Sequence, residues 1–216
     1  SILKDFKGYL QTDGYIVYED FDNNPDIIVF NCMAHARRKF SEALPNDRSR
    51  AEHALAEIQK LYAIERQLSD NNLTGNEKLQ YRKEQALPIL KDLGAWMQKA
   101  YPEVLPGSAI GKAIFYSLSR WEKLSLYATT DFLNIDNNPV ENSIRPVAVG
   151  RKNYLFAGSH AAAQRSAIFY SLLATCKNYN VNPTHWMQDV LTRIAGYPIN
   201  KIQELLPQNW KPTTSE

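Results

Sequence analysis

This sequence predicts an α/β fold that is helix-rich overall, and three observations carry that reading. Two short apolar runs, 9–12 and 27–30, lie early in the chain around a helix-like segment, the pattern of a strand–helix–strand unit with parallel strands. From 46 to 130 the apolar residues change to three-and-four spacing, and the same spacing returns after 160. The 216 residues are enough for a substantial core, as one domain or as one domain with a large insertion.

In chain order, 2–8 reads as the amphipathic tail of a helix, and this abrupt opening, with Ser1 where Met is expected, reads as a piece of a longer protein. Asp13-Gly14 is a turn signal that puts Asp13 at the carboxyl end of the first strand, where ligands bind in open α/β sheets. Asp13 equally reads as an Asx-turn leading into a helix over 15–20. The run Ile27-Ile28-Val29-Phe30 suits a strand buried on both faces. It delivers Cys32-Met33-Ala34-His35-Ala36-Arg37-Arg38-Lys39-Phe40, whose basic residues at a helix start oppose the macrodipole and so point to an anionic partner or to a solvated turn. Cys32 and His35 have a zinc-like spacing, but no second pair follows at a matching interval.

Leu55, Ile58, Leu61, Tyr62 and Leu68 mark one amphipathic helix, Thr74 with Glu77 caps the next, and Pro88 is expected to kink or divide it. Over 108–129, Ile110, Ile114, Leu118, Trp121 and Leu124 form another apolar face. None of this region suggests chemistry, and 46–130 reads as an all-helical insertion. Pro146 is expected to prevent a long helix after 138, and 154–159 reads as extended chain closed by a turn. Ser159 caps a helix reaching Tyr179 with Ile168, Leu172 and Cys176 inside. Asn182-Pro183 opens another with Trp186, Val190, Leu191 and Ile194 inside and Gly196 at its end. The last few residues read as a disordered polar terminus.

The richest stretch is Asp136-Asn137-Asn138-Pro139-Val140-Glu141-Asn142-Ser143-Ile144-Arg145-Pro146. Asn138 as cap and Pro139 as first helical residue place Glu141 in a first turn, which is also a variant capping box. From 142 to 188 there is no Asp or Glu, while Arg145, Arg151, Lys152, Arg165 and Lys177 fall there. One carboxylate opening a long basic stretch suggests a polyanion held beside a metal-binding acid. With 25 basic and 23 acidic side chains the formal net charge is only +2, so affinity for nucleic acid rests on segregated charge of this kind. Two cysteines give no disulfide framework, and no apolar run approaches a membrane span, which predicts a soluble, cytoplasmic protein with no membrane partner.

Leu10-Gln11-Thr12-Asp13-Gly14-Tyr15, the run from Cys32 to Phe40, the run from Asp136 to Asn142 continuing through Gly150-Arg151-Lys152-Asn153-Tyr154 to Ser159, and the closing Leu205-Leu206-Pro207 with Trp210 together resemble the catalytic part of an insertion sequence 66 family transposase. The resemblance implies a truncated ribonuclease-H-like fold, with 1–45 and 131–160 as partial catalytic core, 46–130 as helical insertion and 161–216 as a carboxy-terminal helical region. It implies a DDE-type enzyme that cuts and transfers DNA strands during transposition of an insertion sequence, with transposon ends and target DNA as partners and an oligomer assembled on DNA. Two Mg²⁺ or Mn²⁺ ions about 3.5–4 Å apart are implied in the complete protein, with Asp13 and Glu141 as the second and third acidic ligands. The first acid is not found upstream of Asp13, so this piece alone is expected to be inactive. Arg37, Arg38, Arg145, Arg151, Lys152 and Asn153 are the candidate DNA contacts, the basic residues among them through phosphate. The alternative is a noncatalytic nucleic-acid-binding module in which Glu141 only caps a helix.

Overall fold

The computed structural model describes Leu3, residues 5–154 and residues 156–212, with Pro139 described through its backbone alone. Residues 2 and 4 of the helix-like lead-in, Leu155 of the extended stretch and the terminal residues 213–216 lie outside the described residues. The chain divides into two compact units, Ser1–Asn138 and Pro139–Glu216.

The first unit opens with β1 (Gly8–Thr12), which pairs in parallel with β2 (Ile27–Asn31), Gly8 facing Ile27 and Thr12 facing Asn31. Their connection is a 3₁₀ helix, Ile16–Asn23, rather than an α-helix. β2 is not buried on both faces: Ile27, Val29 and Phe30 are buried, but Ile28 is 45% exposed. Among the described residues the sheet has only these two strands, so little covers the face to which Ile28 points.

Helix α1 (Met33–Ala43) follows, and Arg37, Arg38 and Lys39 fall in its second turn rather than at its start. Most of the macrodipole penalty is therefore avoided, and Arg38 pairs with Glu42 one turn on, at 3.2 Å. Helix α2 (Arg48–Asp70) is capped by Asp47, whose carboxylate accepts from the Arg50 N–H. Helix α3 (Gly75–Tyr81) has Thr74 at its N-cap position, but the Thr74 side chain makes no capping bond. A π-turn, Arg82–Ala86, leads from α3 into α4 (Leu87–Ala100), with Pro88 at its start. Proline has no N–H to return to the preceding turn, so the chain widens there rather than breaking. Helices α5 (Ala109–Leu118) and α6 (Trp121–Ser125) complete the unit, the first capped by Ser108.

One continuous core runs from Phe30 and Met33 through Phe40, Ile58, Leu61, Leu93, Met97 and Ile114 to Leu133 and Ile135. Within it Arg82 is fully buried. Its guanidinium donates to both carboxylate oxygens of Glu65 at 2.8 and 2.6 Å and to the carbonyls of Tyr127 and Thr130 at 2.9 and 2.7 Å.

In the second unit α7 (Asn138–Gly150) runs straight through Pro146, contrary to the expectation of an interruption. The described side chains of this helix are largely solvent-facing, so water can satisfy the carbonyl that the missing N–H leaves free. Helix α8 (His160–Asn178) is capped by Ser159, and α9 (Pro183–Arg193) by Asn182, which accepts from the Thr184 and His185 N–H groups. Its core is Cys176, Trp186, Val190 and Leu205, with the Trp186 indole N–H donating to the Leu205 carbonyl at 2.9 Å. Ile168, Leu191 and Ile194, expected inside, are exposed. The unit offers too few packing partners to use the whole apolar stripe. Both cysteines are free and buried, and among the described residues no helix is long and apolar enough to cross a membrane.

Candidate active site and nucleic-acid contacts

The carboxyl ends of β1 and β2 are tied together below the surface. Thr12 and Asn31 are both buried, and the Asn31 amide donates to the Thr12 hydroxyl at 2.9 Å, while the Gly14 N–H reaches the same hydroxyl at 3.3 Å. Asp13 is therefore lifted to the surface by a turn whose base is a buried hydrogen-bonded pair. Its Oδ1 accepts from the Tyr15 N–H at 2.9 Å, which is the Asx-turn, and the carboxylate stays exposed to solvent. The Asx-turn occupies one oxygen only, so the turn and a ligand-binding role are compatible.

Two side chains from α5 and the turn after it hold this loop from outside. The Tyr116 hydroxyl donates to the Asp13 carbonyl at 2.7 Å, and Arg120 donates to the Gly14 carbonyl and to Glu19, each at 3.3 Å. Arg120 also lies over the Tyr116 ring, 4.7 Å from its centroid. Gly14 is required here twice over: its φ is +81°, and a Cβ would come within 2.8 Å of the Tyr116 hydroxyl. Burial raises the Tyr116 phenol above its ordinary pKa, so at neutral pH it remains a donor. A cavity of about 260 Å³ opens beside the loop, where Glu19 and Asp22 meet Arg120 and Lys123.

The other end of the first unit is pinned by Asp136. It accepts from the Tyr62 hydroxyl at 2.9 Å, the Asn138 side-chain amide at 2.7 Å and the Asn138 N–H at 3.1 Å. Burial and then the neighbouring Asp136 charge raise the Tyr62 phenol. Alongside, the Met33 N–H bonds the Ile135 carbonyl, Gln11 bonds the Asn134 carbonyl, and the Asn137 N–H approaches the Cys32 sulfur at 3.5 Å. Burial pushes the Cys32 thiol up.

In the second unit Glu141 lies in the first turn of α7 and is exposed, and Arg145 follows one turn later on the same face. Arg151, Lys152 and Asn153 form the turn that ends the helix, with N–H groups returned to Val147, Val149 and Gly150. All three side chains are exposed, and Arg151 borders a cavity of about 270 Å³ with Tyr154, Phe156 and Tyr170. The candidates thus divide, with Asp13, Arg37 and Arg38 in the first unit and Glu141, Arg145, Arg151, Lys152 and Asn153 in the second.

Asp13 and Glu141 offer hard carboxylate oxygens, which fit Mg²⁺ or Mn²⁺ in kind. Among the described residues no group of three or more His, Cys, Asp or Glu side chains gathers to hold a metal ion. The sequence reading missed Tyr116, Arg120 and Tyr62. The first two lie about a hundred residues from the loop they hold, and Tyr62 was counted only as part of an apolar stripe, so no local signal marked them.

Residues 1–165 match the family described as Transposase IS66 family, and residues 171–208 match the IS66 C-terminal element. Three proteins of Sinorhizobium fredii are similar over 97% of this chain. Uncharacterized protein y4hP is 34% identical over 226 aligned positions, 41% of its own length. Uncharacterized protein y4qI is 35% identical over 219 positions, 40% of its length, and uncharacterized protein y4jD 31% over 218, 42% of its length. The chain spans about two fifths of the length of the curated relatives it matches. No solved structure matches it significantly. The two family segments follow one another in order and take in both the Asp13 turn and the Glu141 helix, and the chain belongs to the transposase IS66 family.

Proposed function

We propose that this chain carries part of the active centre of a DDE-type transposase that cuts DNA and joins the exposed 3′ ends to a target, with Asp13 and Glu141 as two of its three acidic residues. The supporting observation is the Asp13 turn: an exposed carboxylate at the carboxyl end of a parallel strand, with both carbonyls of the turn clasped by Tyr116 and Arg120, inside the segment that matches the family. In this reading 1–45 and 131–160 belong to a ribonuclease-H-like core, 46–130 is its helical insertion, and 161–216 is a carboxy-terminal helical region.

Asp13 and Glu141 would hold divalent ions through carboxylate oxygens, and Mg²⁺ or Mn²⁺ there would supply charge stabilisation for in-line attack at phosphorus. The work of this chain's own residues is positional. Tyr116 and Arg120 hold the Asp13 backbone, and the Asx-turn engages only Oδ1, through the Tyr15 N–H, so the carboxylate is held in place with its other oxygen outside that bond. Arg37, Arg38, Arg145, Arg151, Lys152 and Asn153 hold DNA without reading its sequence, the cations by pairing with phosphate. The transposon ends, the target and an oligomer assembled on them are the partners of the whole protein.

The test uses the full-length protein on DNA carrying its element ends. Mg²⁺-dependent nicking is expected, with Asp13→Asn and Glu141→Gln each abolishing cleavage while DNA binding persists. The chain of 216 residues alone is expected to bind without cutting. Cleavage that survives both substitutions would show that the active centre lies elsewhere.

A further inference from the structure

Helices α1 and α2 share the core through Met33, Ala36 and Phe40 on one side and Ala54, Ile58 and Leu61 on the other. On the opposite side of the pair, Ala34 and Arg37 of α1, Gln59, Tyr62 and Arg66 of α2, and Asn138 line an open pocket of about 230 Å³. Gln59, Tyr62 and Arg66 recur at intervals of three and four, so they project from one face of α2.

Some cations of these helices are committed to carboxylates away from the pocket. Arg48 and Arg50, on the same helix, are engaged by Glu52 and by Asp47 and Glu103. Among the described residues neither Arg37 nor Arg66 makes an ion pair, and both are exposed at the pocket rim. Asp136, the carboxylate beneath, is already taken by the Tyr62 hydroxyl and the Asn138 amide, which spread its charge over donors. Two guanidiniums without an ion pair that line one recess together with the Gln59 amide match a tetrahedral oxyanion that takes several N–H donors at once.

We propose that this pocket is a phosphate subsite for the DNA backbone, with Arg37 and Arg66 as its cations and Gln59 as a neutral donor. The proposal rests on the reading of the chain as part of a DNA transposase. It adds the helical region, which carried no chemistry in the sequence, to the DNA-binding surface.

The experiment measures binding of the 216-residue chain to a fluorescein-labelled DNA duplex of arbitrary sequence over a range of KCl concentrations. Arg37→Ala and Arg66→Ala are each expected to weaken binding and to reduce the slope of log affinity against log salt by roughly 0.9, the loss of one phosphate contact. Arg66→Lys should keep the slope, and Gln59→Glu should weaken binding by placing a carboxylate in the recess. Arg48→Ala, which removes a cation already paired with Glu52, should leave the slope unchanged. Because Arg66 and Gln59 are exposed, circular dichroism should show the fold intact in every variant. Normal wild-type binding with an unaltered slope in Arg66→Ala overturns the subsite and leaves the DNA reading standing. A wild-type chain that binds no duplex at low salt also overturns the subsite, while the transposase reading stands or falls on cleavage by the full-length protein.

Discussion

The two units of this chain bury their apolar residues very differently. In the first, one core connects the strand pair to the helices, from Phe30 to Ile135, and encloses even the Arg82 side chain. In the second, Cys176, Trp186, Val190 and Leu205 carry the core among the described residues, and the 19-residue α8 buries only Cys176 while Ile168 and Phe169 are 60% and 54% exposed. The same three-and-four spacing therefore has two outcomes. Where several helices converge, the stripe finds partners on all sides; where few do, part of it stays in water. The Asp13 turn is consequently built on a rigid frame, whereas Glu141, Arg145 and Arg151 belong to a helix and turn with few buried contacts, which belong to the low-stability end of a fold.

The sharpest way to break this contrast is at Arg82. Arg82→Ala leaves Glu65 without its partner and two carbonyls without donors, and is expected to cost about 3–5 kcal/mol of stability in urea denaturation, enough to loosen the first unit. A cost near zero would mean that the core tolerates the loss by admitting water, and the frame is softer than its packing implies.

A paired truncation sharpens the comparison. Leu61→Ala, in the core of the first unit, is expected to cost about 2–5 kcal/mol. Val149→Ala, on the exposed face of α7, should stay within about 0.5 kcal/mol by the same measurement. Similar costs at the two sites would show that α7 is buried against a partner in solution.

Alkaline pH gives the smallest effect. Burial raises the Tyr62 and Tyr127 phenols above their ordinary pKa of about 10. The unfolded chain then loses these protons first, so the stability they contribute is fully present below about pH 10 and falls as the pH rises further. Tyr62→Phe should flatten part of that fall, read from denaturation midpoints above and below the transition. In the second unit Tyr197 is raised chiefly by its exposed hydrogen bond to Glu204, so Tyr197→Phe should change the pH slope less.

What was legible in the sequence was local. Both strands, the long α2 helix, the caps at Ser159 and Asn182 and the strand-end position of Asp13 depend on residues a few positions apart, whose backbone preferences and side-chain periodicity act before the chain has closed on itself. Three features needed the tertiary structure. Tyr116 and Arg120 reach the Asp13–Gly14 carbonyls across some hundred residues, a contact that exists only once α5 has packed against α1. Arg82 carries no local signal in the sequence, and becomes a core residue only because Glu65 and the Tyr127 and Thr130 carbonyls converge on it. The continuation of α7 through Pro146 and the exposure of Leu191 and Ile194 were likewise invisible, because a proline's cost and an apolar stripe's fate depend on whether water or a neighbouring helix lies alongside. The sequence by itself determined which segments became strands and helices, since that choice is made over a few residues of chain. Only the tertiary structure decided which side chains those segments bring to bear on one another, since that depends on loop closures over tens to hundreds of residues that no local pattern records.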